Sequence, residues 1–467
     1  MKLKPYLIAT LGLTSLLSIS RGAATAGWDQ AREILDRIHA PEFPARDFAI
    51  TDYGAAAGGA DCTAAIAKAI AACHAAGGGH VSVPAGVFHT GAIRLLSNVD
   101  LHLAPGAVLK FSTDPRAYLP AVFTRWESTE CMNYSAFIYA FQQENIAVTG
   151  PGTLDGSANA RNWWAWTDRD QSGTSPASRD AAALVAMADK DVPVEQRVFK
   201  DGSHLRPNFF QPNRCKNVLI SDVTIINSPM WELNPVLCTN VIARGVTINS
   251  PSGPNNDGFD PESCHDVLVE NCHFATGDDC IAIKSGRNRD GRRVGVAMED
   301  MIVRGCTMTD GHAGVAIGSE VSGDCRNIFI EDCRMDSPSL QRALRVKSNA
   351  SRGGMVENIY MRNVEIGQVQ EALLTVDFLY EEGAKGAFPP ILRNVVMDHI
   401  DCKSTPRLFW IGSFPAATID NIVVSHSRFA GLKGTEVIQN AGRIVLDHVD
   451  CIPATPVMSL SSRSAVW

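Results

Sequence analysis

The sequence lacks an excess of positive charge, since 50 acidic residues outnumber 42 lysines and arginines and the formal net charge is −8. The first 26 residues carry three cations and no acid, so the charge without them is −11. Nucleic-acid binding needs a basic surface that meets the phosphates. The charge balance therefore argues against nucleic acid as a partner, and an anionic ligand must be met by a local group of cations.

The N-terminal region has no apolar run long enough to span a bilayer stably, because the stretch between Tyr6 and Ile19 falls short of the roughly 20 residues required. It follows two lysines and precedes Ala24-Thr25-Ala26, a small-residue cleavage pattern. These features predict a secretory signal peptide over residues 1–26. No cysteine lies near the cut, which argues against a lipid anchor. We expect an exported protein, periplasmic or extracellular, without membrane attachment after cleavage.

The thirteen cysteines show no spacing typical of a metal site. Cys272, Cys306 and Cys333 occupy one position of the repeat described next, where other repeats carry valine or isoleucine. A cysteine that replaces a buried valine acts as a small hydrophobic residue. We expect these three to form an inward stack of free thiols, with disulfides elsewhere, for example between Cys62 and Cys73.

The sequence does contain a nine-residue pattern that begins with Asn or Asp and alternates apolar and polar residues. It starts at Asn217 as NVLISDVTI and recurs at intervals of 23 to 36 residues. Alternation with period two is typical of strands with one buried face, and such intervals are typical of solenoids. The leading Asn or Asp suits a turn and would form a ladder if the coils stack. The other repeats begin at Asn240, Asp266, Asp300, Asn327, Asn358, Asn394 and Asn421.

These repeats predict an all-β chain, a right-handed parallel β-helix of about ten coils. Residues 48–73 read as a strand, a glycine-rich turn and a helix whose apolar face, with Ile66, Ile70 and Cys73, would cap the open end. We expect a short amphipathic helix and a link over residues 27–46, followed by a single β-helix domain over residues 47–467.

The repetition lapses between about residues 157 and 214, which predicts a long loop insertion. This insertion carries Trp163, Trp164 and Trp166. Tryptophans in such a loop either stack on sugar rings or pin the insertion to the body of the protein. The sequence leaves both interpretations open.

One stretch, residues 255–285, brings acidic residues into register. When GFDPES (258–263) and CIAIKS (280–285) are aligned at their serines, Asp257 falls opposite Asp279, 22 residues later. Equivalent positions of stacked coils lie roughly 4.8 Å apart. Asp257, Asp278 and Asp279 are therefore expected to crowd one patch.

The next two coils add a histidine and two cations to the same patch. In GVAIGS (314–319), His312 precedes the serine by seven residues, as Asp278 does in its own coil. In ALRVKS (343–348), Arg345 and Lys347 are two residues apart and share a strand face. We expect all of these side chains to converge on one surface.

Three aspartates beside two cations suit two different reactions. In glycoside hydrolysis, one carboxylic acid protonates the leaving oxygen while another carboxylate activates water or attacks the sugar. Crowding raises the pKa of one carboxyl and keeps it protonated as the acid, and the cations could hold the carboxylate of an acidic sugar. In a pectate lyase the acids would bind calcium. His312 favours the hydrolase, because calcium prefers oxygen ligands.

Four segments resemble the signature motifs of the polygalacturonase family of glycoside hydrolases, family 28, and they occur in the family order. The resemblance extends over most of the chain from about residue 48. It implies hydrolysis of α-1,4-linked galacturonic acid with inversion, and it implies no metal and no cofactor. The segments are Asn256-Asp257, Gly277-Asp278-Asp279, Gly311-His312 and Arg345-Val346-Lys347.

The resemblance assigns a role to each of these positions. It implies that Asp278 is the general acid and that Asp257 and Asp279 activate water. His312 would support the acid. The substrate-binding candidates are Arg345, Lys347, Lys284, Asn256 and Tyr380.

Two positions depart from the family pattern. Asn256 stands where a threonine is usual, and Ala313 stands where a glycine usually follows the histidine. Neither change removes a titratable group. His312 favours homogalacturonan, because the rhamnogalacturonan hydrolases of the family tend to lack this histidine. The insertion and the KSGRNRDGRR stretch (284–293) resemble the bacterial exo-acting branch, so we expect attack from chain ends.

Three other functions stay open at this point: hydrolysis of a decorated pectin such as rhamnogalacturonan, calcium-dependent pectate lysis, and carbohydrate binding without catalysis. The expected partner is an anionic pectic polysaccharide or oligogalacturonide, and the expected state is a monomer. The basic run between Lys284 and Arg293 is either the local site for an anionic substrate or a solvated loop. Lys284 itself either contacts substrate or is a solvated lysine.

Overall fold

A computed structural model of the chain describes residues 27–454 and the strand Ser464–Val466. The predicted signal peptide, residues 1–26, lies outside the described residues. Among the helices of the described part, none is long and apolar enough to cross a membrane.

Strands from successive coils stack into one long sheet of 21 strands. Val218 pairs with Val241, Val241 with Val267 and Val267 with Met301, so apolar side chains lie above one another from coil to coil. This arrangement confirms the predicted parallel β-helix, with twelve rungs in the described residues instead of about ten. The strands of this long sheet are Gly79–Val83, Gly86–Thr90, Val99–Leu103, Ala107–Phe111, Glu144–Thr149, Thr153–Asp155, Lys216–Ser221, Thr224–Ile226, Thr239–Arg244, Thr247–Ser250, His265–Glu270, His273–Thr276, Met298–Arg304, Thr307–Asp310, Cys325–Glu331, Arg334–Met335, Met355–Ile366, Ile391–Cys402, Thr418–Leu432, Ile444–Pro453 and Ser464–Val466.

A second face of the solenoid carries shorter parallel strands. Six of them form what we call the cleft sheet. Single bridges from Ile281 to Phe259 and from Phe259 to Leu233 continue this face toward a three-stranded sheet of Ile93–Arg94, Ile138–Phe141 and Phe210–Asn213. The strands of the cleft sheet are Ile281–Ile283, Val315–Ile317, Arg342–Lys347, Ala372–Asp377, Phe409–Gly412 and Val437–Ile438.

The leading Asn or Asp of the repeats forms the predicted side-chain ladder. The side-chain amide of Asn358 donates to Asn327 Oδ1 at 3.0 Å, and that of Asn394 donates to Asn358 Oδ1 at 3.0 Å. These residues have positive φ, a conformation that Asn and Asp adopt more readily than most residues. Each such bond contributes about 1 kcal/mol net. Further bonds of this kind join Asn98 with Asn145, Asn145 with Asn217, Asn217 with Asn240, Asp300 with Asn327, and Asn394 with Asn421.

The cysteines are free thiols, and twelve of the thirteen are buried. Cys272, Cys306 and Cys333 face the core, as predicted. The predicted disulfide between Cys62 and Cys73 is wrong. Cys62 precedes a helix and Cys73 lies near its end, so the helical rise separates the two by about 16 Å, far beyond disulfide reach. A second buried group of this kind, which the sequence pattern did not single out, is formed by Cys215, Cys238 and Cys264.

Helices cover parts of the solenoid. The helix Thr63–Ala75 buries Ile66 and Ile70 against the core and forms the predicted cap. The strand predicted near residue 48 is wrong, because the chain forms the 3-10 helix Ile50–Tyr53, which ends at Gly54 with φ 98°. Only one bridge, from Asp47 to His80, is made there.

The chain is helical over residues 27–35, and this segment lies across the outside of the long sheet. Its buried Ile34 packs on a column of outward-facing side chains from five successive rungs. Arg37, just beyond the helix, pairs with Asp266 at 2.6 Å and Asp300 at 2.8 Å. The column consists of Ile242, Leu268, Ile302, Phe329 and Tyr360.

The insertion after the third rung has structure of its own. It contains the 3-10 helices Trp163–Thr167 and Val194–Gln196 and the α-helix Pro176–Asp189. The antiparallel hairpin Val122–Trp126 and Thr129–Asn133 packs against it, and the short helix Asn288–Val294 adjoins both. The remaining short element is the 3-10 helix Pro115–Tyr118. Together these elements build a wall beside the cleft sheet.

Candidate active site

The stacking of the cleft-sheet strands positions the predicted site residues. Phe259 pairs with Ile281, which pairs with Val315, and Val315 pairs with Leu344. In this register Asp257 stands beside Asp279, and His312 stands beside Asp278. The sequence alignment at the serines therefore matches the observed stacking.

The three aspartates form one compact cluster, with one carboxylate oxygen of each within 4.8 Å of the others. Asp257 is 3% exposed and Asp279 is 0% exposed, whereas the side chain of Asp278 is 20% exposed. The Oδ1 atoms of Asp257 and Asp279 have no hydrogen-bond partner among the described residues. Asp278 is thus the carboxylate that a bulky ligand can touch, and the other two each offer a free acceptor behind it.

His312 is bound to Asp278, with its Nδ1 2.9 Å from Asp278 Oδ1. This hydrogen bond raises the pKa of His312 above its usual value, although burial opposes the shift. Burial raises the pKa of Asp278, but the hydrogen bond from His312 and the charge of Lys347 outweigh it and lower the pKa to about 2. The two side chains therefore hold one proton together, and in the unliganded site it resides on the imidazole.

The carboxyl with the raised pKa is Asp257. Burial is the main cause, and the negative charge of Asp278 adds to it. One carboxyl pKa is raised, as predicted, but the group is Asp257 instead of Asp278, and burial contributes more than the crowding of carboxylates. The physical reason is that Asp278 has a histidine partner and partial access to solvent, whereas Asp257 is enclosed.

The cations lie on the far side of the cluster. Lys347 Nζ donates to Asp279 Oδ2 at 2.7 Å, and both side chains are buried. Arg345 makes no salt bridge within the described residues, and its guanidinium carbon lies 5.5 Å from the centre of the Tyr380 ring. Lys347 Nζ lies 5.6 Å from the same ring. Arg345 is therefore the cation of this group that is left for a ligand.

Lys284 is buried, so its interpretation as a solvated lysine is wrong. Its Nζ lies 3.6 Å from Asp260, 3.5 Å from Glu320 and 4.6 Å from the centre of the Trp231 ring. Burial lowers the pKa of Lys284, but the surrounding carboxylates outweigh it and hold the pKa well above the usual value. The ammonium group compensates the buried acids beneath the aspartate cluster.

Asn256, a predicted substrate-binding residue, points away from the cleft. It is 0% exposed, and its amide nitrogen donates to Ser228 O at 3.1 Å and to Glu232 Oε1 at 3.3 Å. Its neighbour Asn255 lines the cavity instead. Asn255 has φ 55°, and the turn at this residue directs the side chain of Asn256 into the protein. The guanidinium of the buried Arg206 donates to Asn255 Oδ1 at 2.7 Å and fixes that turn.

A cavity of about 440 Å³ lies over the cluster. Its lining includes every predicted site residue except Asn256 and Asp279. Sequence reasoning missed the others because they come from loops and strand ends without a motif. Alternation along the strand also places Arg342 on the face of the buried Leu344 and Val346, opposite Arg345, so the pattern did not predict that Arg342 lines the cavity. The missed lining residues are Glu127, Trp231, Asn255, Ser319, Glu320, Gln341, Arg342 and Glu381.

The basic run between Lys284 and Arg293 is engaged by protein groups. Arg287 pairs with Glu127 at 2.8 Å, and Arg293 pairs with Asp290 at 2.9 Å. The buried Arg197 of the insertion binds Asp290 at 2.8 Å. Arg289 pairs with Asp191 in the insertion, and Arg292 donates to the backbone carbonyls of Ser351 and Arg352. The run is therefore neither a solvated loop nor a free anion site. Its ion pairs and hydrogen bonds attach the wall to the body of the protein.

The tryptophans of the insertion pack on the body of the protein. Trp163 is 1% exposed and contacts Tyr118 at 5.7 Å and Trp166 at 4.9 Å between ring centres. Trp164 donates its indole N–H to Ser228 O at 2.9 Å. Of the two interpretations of these tryptophans, the packing supports the one in which they pin the insertion.

The aspartate cluster is a poor calcium site despite its closely spaced oxygens. Calcium takes six to eight oxygen ligands, whereas one oxygen from each of three residues converges here. Lys347 Nζ, 2.7 Å from Asp279, would also repel a divalent ion at this point. The carboxylates are compensated by lysines instead.

Cleavage of a glycosidic bond needs one carboxyl group at the leaving oxygen and a second group that acts on water or on the sugar. The exposed Asp278 and the enclosed Asp257 and Asp279 meet this requirement on the face of a parallel β-helix. Fold and site together define a β-helical glycoside hydrolase.

Comparison with known proteins identifies the family. The family model described as Glycosyl hydrolases family 28 matches residues 195–408. The crystal structure of a hyperthermoactive exopolygalacturonase from Thermotoga maritima is similar with a TM-score of 0.89 and 38% sequence identity, over 94% of this chain and 98% of that chain. The chain belongs to glycosyl hydrolase family 28, the polygalacturonase family.

Two curated relatives are more distant in sequence. A probable polygalacturonase from Vitis vinifera is 29% identical over 75% of this chain. An exo-poly-alpha-D-galacturonosidase from Dickeya chrysanthemi is 27% identical over 81% of this chain. The chain spans 66% of the length of the first and 62% of the second.

Proposed function

We propose that this protein hydrolyses α-1,4-galacturonosidic bonds of polygalacturonate and works from the chain ends. The observation that carries the proposal is one cavity lined by the solvent-reaching Asp278, the enclosed Asp257 and Arg345, with the carboxylate of Asp279 next to the two aspartates. The names of the relatives agree with this substrate, since the Thermotoga and Dickeya proteins are an exopolygalacturonase and an exo-galacturonosidase.

The leaving-group oxygen receives its proton from the His312–Asp278 pair. Asp278 faces the cavity, and His312 supplies the proton that this carboxylate lacks in the unliganded site. When substrate excludes water, the charged Asp278 loses hydration and the proton shifts toward it, since desolvation favours the neutral form. The glycosidic C–O bond then breaks as the proton moves to the leaving oxygen.

Water attacks the anomeric carbon from the side of the enclosed carboxylates. The free Oδ1 atoms of Asp257 and Asp279 are suited to hold one water molecule between them. Because the pKa of Asp257 is raised, we assign acceptance of the water proton to Asp279 and orientation of the water to Asp257. The new C–O bond forms opposite the broken one, so the product has inverted configuration.

Arg345 is the proposed partner of the substrate carboxylate. Its guanidinium can form two parallel hydrogen bonds with a carboxylate, and the Tyr380 ring beside it offers a flat face for a sugar. Lys347 is committed to Asp279 and adds positive potential. Lys284 lines the floor of the cavity and compensates the charges of Asp260 and Glu320.

The acidic end of the cavity supports action at chain ends. Glu127 and Glu381 line it, and Arg287 bridges toward both at 2.8 and 4.0 Å. Carboxylates at this point would repel a further galacturonate unit and accept hydrogen bonds from terminal hydroxyls. This end therefore favours a chain terminus over an internal segment.

Product analysis on polygalacturonate tests the proposal. We expect galacturonic acid or its dimer from the earliest time points, with an Asp278→Asn variant reduced in rate by about 10²- to 10⁴-fold. Mid-length oligomers at early times would overturn exo action. Unsaturated, ultraviolet-absorbing products that require calcium would indicate a lyase, faster release from rhamnogalacturonan would indicate the decorated substrate, and absence of any product would leave a binding module.

Two further properties belong to the proposal. The N-terminal segment 1–26 supports export to the periplasm or beyond, where pectic polymers are encountered. We also propose that the protein acts as a monomer.

A further inference from the structure

Three histidines form a column on the outside of the last rungs of the long sheet. Asp398 pairs with Ser425 and Ser425 with Asp447, so the residues that follow them, His399, His426 and His448, stand one above another. The ring centres are 5.2 Å and 5.4 Å apart, with interplanar angles of 23° and 14°. None of the three lines the cleft cavity.

Each imidazole is oriented by a carboxylate. His399 Nδ1 lies 2.8 Å from Asp398 Oδ2, and His426 Nδ1 lies 2.8 Å from Asp398 Oδ1. His448 Nδ1 lies 2.7 Å from Asp447 Oδ1. A carboxylate accepts hydrogen bonds, so Nδ1 donates and Nε2 of the neutral ring is left with a lone pair. Carboxylates that fix histidines in this way are typical of metal sites.

The backbone turn at this position does not by itself require histidine. The three residues have φ of 53°, 43° and 54°, a conformation that Asn, Asp and Gly also suit. Earlier rungs carry those residues at the same place and make the same turn. They are Asp222, Gly245, Asn271, Gly305, Asp332 and Asn363.

We propose that imidazole nitrogens of this column bind a divalent transition-metal ion of the zinc class, with Asp398 and Asp447 as the carboxylates that hold the rings in place. One ligand atom from each of Asp398, His399 and His426 lies within 4.8 Å of the others, and the same holds for His426, Asp447 and His448. His426 belongs to both groups. Imidazole nitrogen selects zinc, copper or nickel over calcium and magnesium.

The side chains have the freedom to close around an ion. Those of His399, His426 and His448 are 60%, 34% and 65% exposed. Zinc–nitrogen bonds are about 2.0–2.1 Å long, so ring rotation must bring the ligand atoms together, and nothing buried has to move. A bound ion would join two successive rungs, either Ile391–Cys402 with Thr418–Leu432 or Thr418–Leu432 with Ile444–Pro453. Each repeat of a solenoid contacts only its neighbours, so a link between rungs adds support near the end of the stack.

Calorimetric titration with zinc chloride tests the site on tag-free protein first treated with EDTA. We expect zinc binding and no calcium binding. His426→Asn, which keeps a residue suited to the turn, should weaken zinc binding by at least about tenfold, and Asp398→Asn should weaken it by about 10- to 100-fold. The matched control is His265→Asn, because His265 also faces a carboxylate, Asp266 at 3.2 Å, but has no neighbouring histidine in such a column. This control should bind zinc like the unmodified protein.

A second readout separates the site from nonspecific adsorption. Zinc should raise the midpoint of thermal unfolding of the unmodified protein, by mass action, and this rise should vanish in His426→Asn and persist in His265→Asn. The proposal is overturned if zinc does not bind, if His426→Asn binds it unchanged, or if His265→Asn loses as much affinity. Hydrolysis is not a readout, so the result is independent of the proposed function.

Discussion

His312 and Asp278 act as one proton-holding unit, with His312 Nδ1 2.9 Å from Asp278 Oδ1. The hydrogen bond that His312 donates to Asp278 raises the pKa of His312 above its usual value, and the pKa of Asp278 is lowered to about 2. Below the raised pKa of His312 the unit carries one proton, and above it the unit carries none. The supply of the catalytic proton therefore depends on histidine as well as aspartate.

We expect activity to fall on the alkaline side as pH rises through the raised pKa of His312. In His312→Asn, Asp278 must hold the proton alone, and the alkaline limb should move to lower pH by more than one unit. The measurement is kcat/KM against pH on oligogalacturonide. An alkaline limb at the same pH in both proteins would contradict the shared-proton account. The stability that this pair adds is fully present between about pH 3.8 and 6.5. It is lost as pH rises through the raised pKa of His312, and it is lost as pH falls through the lowered pKa of Asp278, about 2.

Lys347→Met should destabilise the protein by about 3–5 kcal/mol, because it leaves Asp279 buried without its cation. The free energy of unfolding can be measured by urea denaturation. Adding Asp279→Asn to Lys347→Met should recover part of the loss, since the uncompensated charge is then removed. The control is Arg116→Met, which breaks an exposed pair with Asp114 and should change stability little. Equal losses in the two single variants would contradict the prediction.

Ile34→Ala should weaken the docking of the N-terminal helical segment on the long sheet. Ile34 is 0% exposed and packs on the outward-facing column that includes Leu268 and Phe329, and truncation of such a side chain costs about 2–5 kcal/mol. Glu33→Ala, at an exposed neighbouring position, should change the free energy of unfolding by less than about 0.5 kcal/mol. If both variants unfold at the same urea concentration, the segment does not contribute to stability.

Much of the fold could be predicted because the same nine-residue pattern recurs along the sequence. The leading Asn or Asp, the alternation of apolar residues and the buried cysteine position each recur. Each of the eight repeats is a weak indication alone, but together they predict one fold. The strand predicted near residue 48 lies in a segment that does not recur in the sequence. The chain there forms a 3-10 helix that ends in the turn at Gly54. The failed disulfide between Cys62 and Cys73 has a different origin. The helix predicted over this segment already separates the two residues by about 16 Å, so the helix and the disulfide are incompatible.

The candidate site could be predicted only as far as it follows the ladder. Asp257, Asp278, Asp279 and His312 have stacked positions, so alignment brings them together. Which side chain faces the cavity depends on local turns, and this is why Asn255 and not Asn256 lines it. Glu127 comes from a hairpin more than a hundred residues away, and no pattern in the sequence links it to the cluster.

The stereochemical course is a sharp test of the roles of the aspartates. Inverting glycosidases usually hold their carboxyl groups about 6.5–9.5 Å apart and retaining ones about 5–5.5 Å apart. The nearest carboxylate oxygens of the three aspartates lie within 4.8 Å of one another, a spacing of oxygens that both courses allow. Burial favours inversion: Asp257 and Asp279 are 3% and 0% exposed, so a water molecule is expected between these carboxylates and the anomeric carbon.

Proton NMR of a reaction on trigalacturonate in D2O, started with concentrated enzyme, reveals the anomer released before mutarotation. Because water held by Asp257 and Asp279 attacks opposite the leaving oxygen, we expect the β-anomer first from the α-linked substrate. The α-anomer first would mean that a carboxylate attacks the sugar directly, and Asp257 would then be the nucleophile because it lines the cavity whereas Asp279 does not. In that case Asp278→Ala, supplied with azide and a galacturonide that has a good leaving group, should give an azide-linked product with retained configuration, because azide would attack the sugar covalently bound to Asp257 and release that carboxylate. An enzyme that activates water forms no such covalent intermediate and should give no retained azide product.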